Sequence, residues 1–172
     1  MYHDVAHLRA VLARVDELRS HALDPDVCAL AAWLHDAVYN GRAGADEAAS
    51  AALARDVLNG LNLHAERVAE VVRLVELTLT HAPAADDRNG AVLCDADLAV
   101  LGSEPAAYGA YVAAVRAEYG HVPDAEFRAG RAAVLRALLS RDPLYSTPTG
   151  RALWEDAARR NMRAELTRLA RE

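Results

Sequence analysis

Apolar residues recur along this chain at intervals of three and four. Val5, Leu8, Val11, Leu12, Val15 and Leu18 make one such stripe and predict a helix from residue 5 to about 19. Asp24-Pro25-Asp26 predicts a helix start, because aspartate accepts the free amides of a first turn. The segment that follows, residues 26–39, is apolar nearly all round and predicts a central helix. Asn40-Gly41-Arg42-Ala43-Gly44 breaks it. A third helix is expected from Ala45 or Asp46 to about Leu58, closed by Asn59-Gly60. A fourth covers residues 65–79 and ends at His81-Ala82-Pro83, and residues 84–90 read as a polar loop. Residues 91–101 form an apolar segment interrupted by Asp95 and Asp97. Helices are then expected at 106–119, 124–141 and 150–171. No internal repeat, low-complexity run or linker divides the chain, so the expectation is an all-α, single-domain helical bundle over residues 1–172.

Composition strengthens that picture. Hydrophobic residues make up 53% of the 172, yet aromatics only 5%, so the apolar mass is Ala, Leu and Val. Ala and Leu are the least costly residues in a helix, and small side chains let helix axes approach closely. Ile is absent and the short Val runs lie inside three-to-four periodic segments, which leaves little strand signal. Cys28 and Cys94 stand in apolar stretches without CxxC spacing, and are expected to be buried free thiols.

Charge removes several functions. All 19 basic residues are Arg, so a Schiff-base lysine and a P-loop lysine are both excluded. The formal charge of -6, with acids and bases interleaved, is unlike the concentrated basic footprint of a protein that binds extended nucleic acid. No apolar run approaches the ~20 residues of a membrane span, and the N-terminus lacks a basic-then-apolar leader, so a cytoplasmic protein is expected.

Ionisable residues interrupt the apolar pattern at three places. His35-Asp36 falls within the most hydrophobic predicted helix, where an unpaired carboxylate is costly and must be paired, hydrogen-bonded or metal-bound. Asp95 and Asp97 repeat the anomaly: either one caps a helix while the other faces solvent, or one aims its carboxylate inward. His3 and His7, four apart, share a helix face if that turn is formed, with Asp4 between them expected to be solvated. Separate helices can project such ligands to one interior point. Two imidazoles and two carboxylates leave open positions on an octahedral metal for water and a phosphate oxygen.

This order of residues resembles the HD superfamily of metal-dependent phosphohydrolases, and nearly the whole chain is similar to its small bacterial branch of predicted phosphohydrolases. The matching stretches are residues 2–7, residues 33–39, residues 46–51, Thr80-His81 and residues 93–102. Tyr111, Val115-Arg116-Ala117-Glu118-Tyr119, Gly130-Arg131 and Ala158-Arg159-Arg160-Asn161 fit the same branch. The resemblance implies an HD-domain or phosphodiesterase-like bundle, with the metal-site core at about 1–102 and helices at about 105–171 packed on it. It implies metal ligation by His7, His35, Asp36 and Asp97, with Asp95 the alternate for the last. It also points to His3 as a general acid, as in the cyclic-nucleotide phosphodiesterases.

The chemistry expected of such a set is hydrolysis of a phosphomonoester or phosphodiester by metal-activated water, with a divalent transition metal (Mn, Fe, Ni, Co or Zn, with Mg also admissible). His3 or His81 would protonate the leaving oxygen. Glu47 and Ser50, one turn apart, are candidates to orient His35 or the metal water, against a plain solvated helix start. Arg116 and Arg131 are candidates to clamp phosphate, against ordinary ion pairs. The expected partner is a small phosphorylated substrate such as a nucleotide, bound by a monomer or homodimer. The competing expectation is a non-catalytic ligand-binding or regulatory domain of the same fold.

Overall fold

Asp4 begins the first helix by accepting the amides of Ala6 and His7 at 2.7 and 3.1 Å, so this residue is a cap as well as exposed. In the computed structural model, which describes residues 2–171, the described residues form eight α-helices, two short 3-10 turns and no strand. The all-α expectation holds. Among the described residues no single helix is long and apolar enough to cross a membrane.

The chain divides into two units. The first, residues 3–97, holds α1 (Val5–Glu17), α2 (Pro25–Leu34), α3 (Ala45–Gly60), α4 (Ala65–Leu77) and most of α5 (Arg88–Leu98). Within it α2 packs against α1, α3 and α4, the central place its composition predicts. Ala31 and Ala32 on α2, and Ala51 and Ala54 on α3, are buried, as are Val11, Val15, Leu58, Val71, Leu74 and Val75. Alanines at these contacts allow the close approach of helix axes. Cys28 and Cys94 are buried free thiols, and burial pushes the Cys28 thiol up to about 12.

Two boundaries in this unit differ from the sequence expectation. The polar stretch 84–90 is not all loop: Asp87 accepts the Gly90 amide at 2.8 Å, and α5 is under way by Arg88. Gly90 is buried where any Cβ would run into Leu77 and Asp87. More consequential, α2 does not reach Tyr39. It stops at Leu34, and His35 is its C-cap rather than a mid-helix residue. Side chains from α3 draw the chain away. Ser50 accepts the Val38 amide and donates to the Val38 carbonyl, while Asp46 accepts the amides of Asn40 and Arg42.

The second unit comprises Tyr2 and residues 98–171, with α6 (Pro105–Glu118), α7 (Asp124–Leu139) and α8 (Pro148–Leu169). The 3-10 turn Ala99–Gly102 packs on α8 and α6, and α8 on α7, around Leu101, Tyr108, Leu135, Tyr145, Ala158 and Met162. A buried polar network crosses it: Arg131 donates to both oxygens of Glu165 and to the Tyr111 hydroxyl, and Tyr108 donates to Glu165.

Candidate metal centre

Four side chains of the first unit converge at the end of α2. His7 comes from the first turn of α1, where the Asp4 cap fixes the helix start. His35 and Asp36 lie where α2 ends, and Asp97 is the penultimate residue of α5. The Nε2 atoms of His7 and His35 are 3.3 Å apart. Asp36 Oδ2 lies 3.3 Å from the first and 3.1 Å from the second, and Asp97 Oδ1 lies 3.3 and 3.6 Å from the same two atoms. His7 and His35 are 8% and 3% exposed, so water does little to screen the group.

The tautomer of His35 follows from its other nitrogen. Nδ1 is 2.8 Å from the Ala32 carbonyl, which can only accept, so Nδ1 carries the hydrogen and Nε2 of the neutral ring presents a lone pair to the cluster. Metal-binding histidines generally show this arrangement.

Both carboxylates press positive charge into the cluster. Burial works against a charged His7, but hydrogen bonds to Asp36 and Asp97 outweigh it and hold the ring up at about 9. His35 is driven in the same direction, with burial opposed by the fields and hydrogen bonds of Asp97 and Asp36. In return, Asp36 and Asp97 stay well below the usual carboxylate range despite their burial, because the imidazoles favour their ionised forms.

The donor set fits a divalent ion on geometry. Bonds of about 2.0–2.2 Å from nitrogen and oxygen ligands place neighbouring ligand atoms about 3.0 Å apart in an octahedron and about 3.4 Å apart in a tetrahedron. The His7–His35 separation, those from Asp36 to both rings and that from Asp97 to His7 fall in that range, and Asp97 to His35, at 3.6 Å, lies just beyond it. His7, His35 and Asp97 also form a mutually close trio of ligand atoms.

The remaining candidates are placed as follows. Asp95 is buried in α5, but two residues of helix turn it about 200° away from Asp97, and Asp97 is the one that meets the imidazoles. His3 precedes the Asp4 cap, so it does not share a helix face with His7. Its ring instead stacks on Tyr39 with centroids 3.9 Å apart and stands edge-on to His7 at 5.4 Å. His81 adopts a left-handed backbone, with φ of 48°, and its Nε2 lies 2.7 Å from Asp97 Oδ2.

Three of the candidates bond elsewhere. The Glu47 carboxylate accepts the Gly44 amide and closes the start of α3, so its bond goes to the helix start and not to His35. Arg131 spends its donors on Glu165 and Tyr111, at 9% side-chain exposure. Arg116 is bound to the carbonyls of Tyr119 and Val122 and to Asp124. Both arginines are tied to partners within the second unit. Ser50 does support the site, but through the Val38 backbone and not by touching a ligand.

Sequence reasoning passed over two contributors. The Ala32 carbonyl is backbone and leaves no trace in side-chain pattern. Asp46 was read only as a helix start, although a carboxylate placed after Asn40-Gly41-Arg42 is the signal of a side chain tying down a turn. Compared with protein-family models, with curated proteins and with solved structures, the chain matches no family model, no curated protein and no solved structure.

Proposed function

We propose that the protein is a metal-dependent phosphohydrolase of HD type, with His7, His35, Asp36 and Asp97 holding a divalent transition metal. One observation carries the reading. The Nε2 atoms of His7 and His35 lie 3.3 Å apart, and Asp36 and Asp97 each bring a carboxylate oxygen within 3.1–3.6 Å of both. Without a cation, protons on the two rings, given to Asp36 and Asp97, take its place.

A divalent ion held there supplies an acidified water and a charge that polarises a phosphoryl oxygen. The chain's own residues do the rest. His35 is locked in rotation by the Ala32 carbonyl, and Ser50 and Asp46 hold the segment that follows Asp36. The two carboxylates make the site attractive to cations while leaving it anionic enough to need one. His3, stacked on Tyr39 beside His7, is the imidazole placed to give a proton to a leaving oxygen. The substrate class is a small phosphate ester, with nucleotides included.

The test is metal content followed by turnover. Purified protein is analysed for Mn, Fe, Co, Ni, Zn and Mg, then screened against nucleotides and p-nitrophenyl mono- and diesters with each ion. Stoichiometric metal that is lost in His35→Ala and Asp36→Ala, with metal-dependent release of phosphate or p-nitrophenol, supports the reading. Wild-type protein that takes up none of these ions overturns it. Metal without turnover of any ester moves the assignment to a ligand-binding or regulatory domain.

A further inference from the structure

Asp97 has two carboxylate oxygens, and they have different partners. Oδ1 faces the two imidazoles, while Oδ2 is 2.7 Å from His81 Nε2. A carboxylate only accepts, so His81 Nε2 carries the hydrogen. We propose that His81 is a positioning residue that makes Asp97 a one-oxygen ligand: its Nε2–H holds Oδ2, so that only Oδ1 is offered to a divalent ion between His7 and His35. The inference rests on the metal reading above and replaces the expectation that His81 is a proton donor to the substrate.

Backbone geometry gives a second, independent reason. His81 follows the α4 C-cap Thr78, and its amide closes on the Leu77 carbonyl at 2.9 Å. Its φ of 48° lies in the left-handed region, which few non-glycine residues adopt. Glycine would relieve the backbone at this turn, so the imidazole stands there at a local conformational cost. Strained backbone of this kind persists where a side chain is needed in one place. From this turn the ring reaches across a sequence separation of 16 residues to the end of α5.

The geometry also separates positioning from acid catalysis. A ring whose Nε2–H is given to Asp97 does not hold that proton for a leaving group. What Asp97 requires of residue 81 is one N–H donor at the right reach. Glutamine can supply it, whereas glycine and asparagine, both at ease with positive φ, cannot reach.

Co2+ is the probe, because it reports affinity by calorimetry and ligand geometry by its visible absorption, with no reference to activity. Outer hydrogen-bond partners typically contribute 10–100-fold to metal affinity. The expected result is that His81→Gly and His81→Asn bind Co2+ about 10–100-fold more weakly than wild type, with unchanged helical circular dichroism. His81→Gln is expected to stay within about threefold, with the wild-type absorption bands. Either of two results overturns the inference: glycine and asparagine variants that bind like wild type, or a glutamine variant as weak as glycine. Wild-type protein that binds no Co2+ removes the metal reading itself, an outcome visible before any variant is made.

Discussion

His7 Nε2 and His35 Nε2 face each other at 3.3 Å, with Asp36 Oδ2 and Asp97 Oδ1 against both. The Nε2–H of a protonated ring is given to one of these carboxylates, so protons and a cation compete for the same nitrogen lone pairs.

That competition predicts a pH dependence in the metal-free protein. His7 rises from 6.5 to about 9 on folding, so the native state holds this proton more tightly than the unfolded chain does. The resulting stability, about 3 kcal/mol, is fully present below pH 6.5 and is lost as pH rises through about 9. A bound divalent ion takes the proton's place and removes the loss. Thermal unfolding with chelator at pH 6, 7.5 and 9 should show the melting temperature falling. With saturating Mn2+ the fall should vanish, and in metal-free His7→Gln it should shrink to what His35 contributes. Metal-free wild-type protein that gains stability across this window contradicts the proposed protonation.

Ser50→Ala tests the support behind His35-Asp36. Ser50 is buried and bonds both the amide and the carbonyl of Val38. Its loss leaves two backbone groups short of partners, at about 1–3 kcal/mol. The segment after Asp36 should loosen as well. Calorimetry should therefore show weaker Mn2+ binding together with a lower melting temperature. A variant that melts earlier but binds Mn2+ unchanged would confine Ser50 to the fold.

How much of this was legible in the sequence depends on range. The helices were, because each is written in residues three and four apart. His7, His35 and Asp97 were visible as ionisable groups on apolar faces. The end of α2 was not: nothing in residues 26–39 stops a helix, and the side chains that stop it, Asp46 and Ser50, lie on α3. His3 was misplaced for a local reason, since Asp4 caps α1 and puts His3 outside it. The choice of Asp97 over Asp95 followed from resemblance alone, and geometry now supplies the reason: one helix cannot turn both to the same point. Arg131 looked available because its partner Glu165 is 34 residues away.

That partnership yields the last prediction. Arg131 and Glu165 are 9% and 2% exposed at the side chain, and both guanidinium branches are bonded. Removing one member of a buried pair strands the other charge, at about 3–5 kcal/mol. Arg131→Met should therefore lower the melting temperature steeply, and adding Glu165→Leu should recover most of the loss, because the stranded carboxylate and not the lost bond is the larger penalty. Tyr108, which donates to Glu165, keeps the recovery from being complete. A phosphate clamp behaves differently: its loss raises KM for a phosphate ester, leaves the melting temperature almost unchanged, and is not mended by a change at Glu165. Denaturation of the single and double variants, beside KM for whichever ester is turned over, separates the two roles.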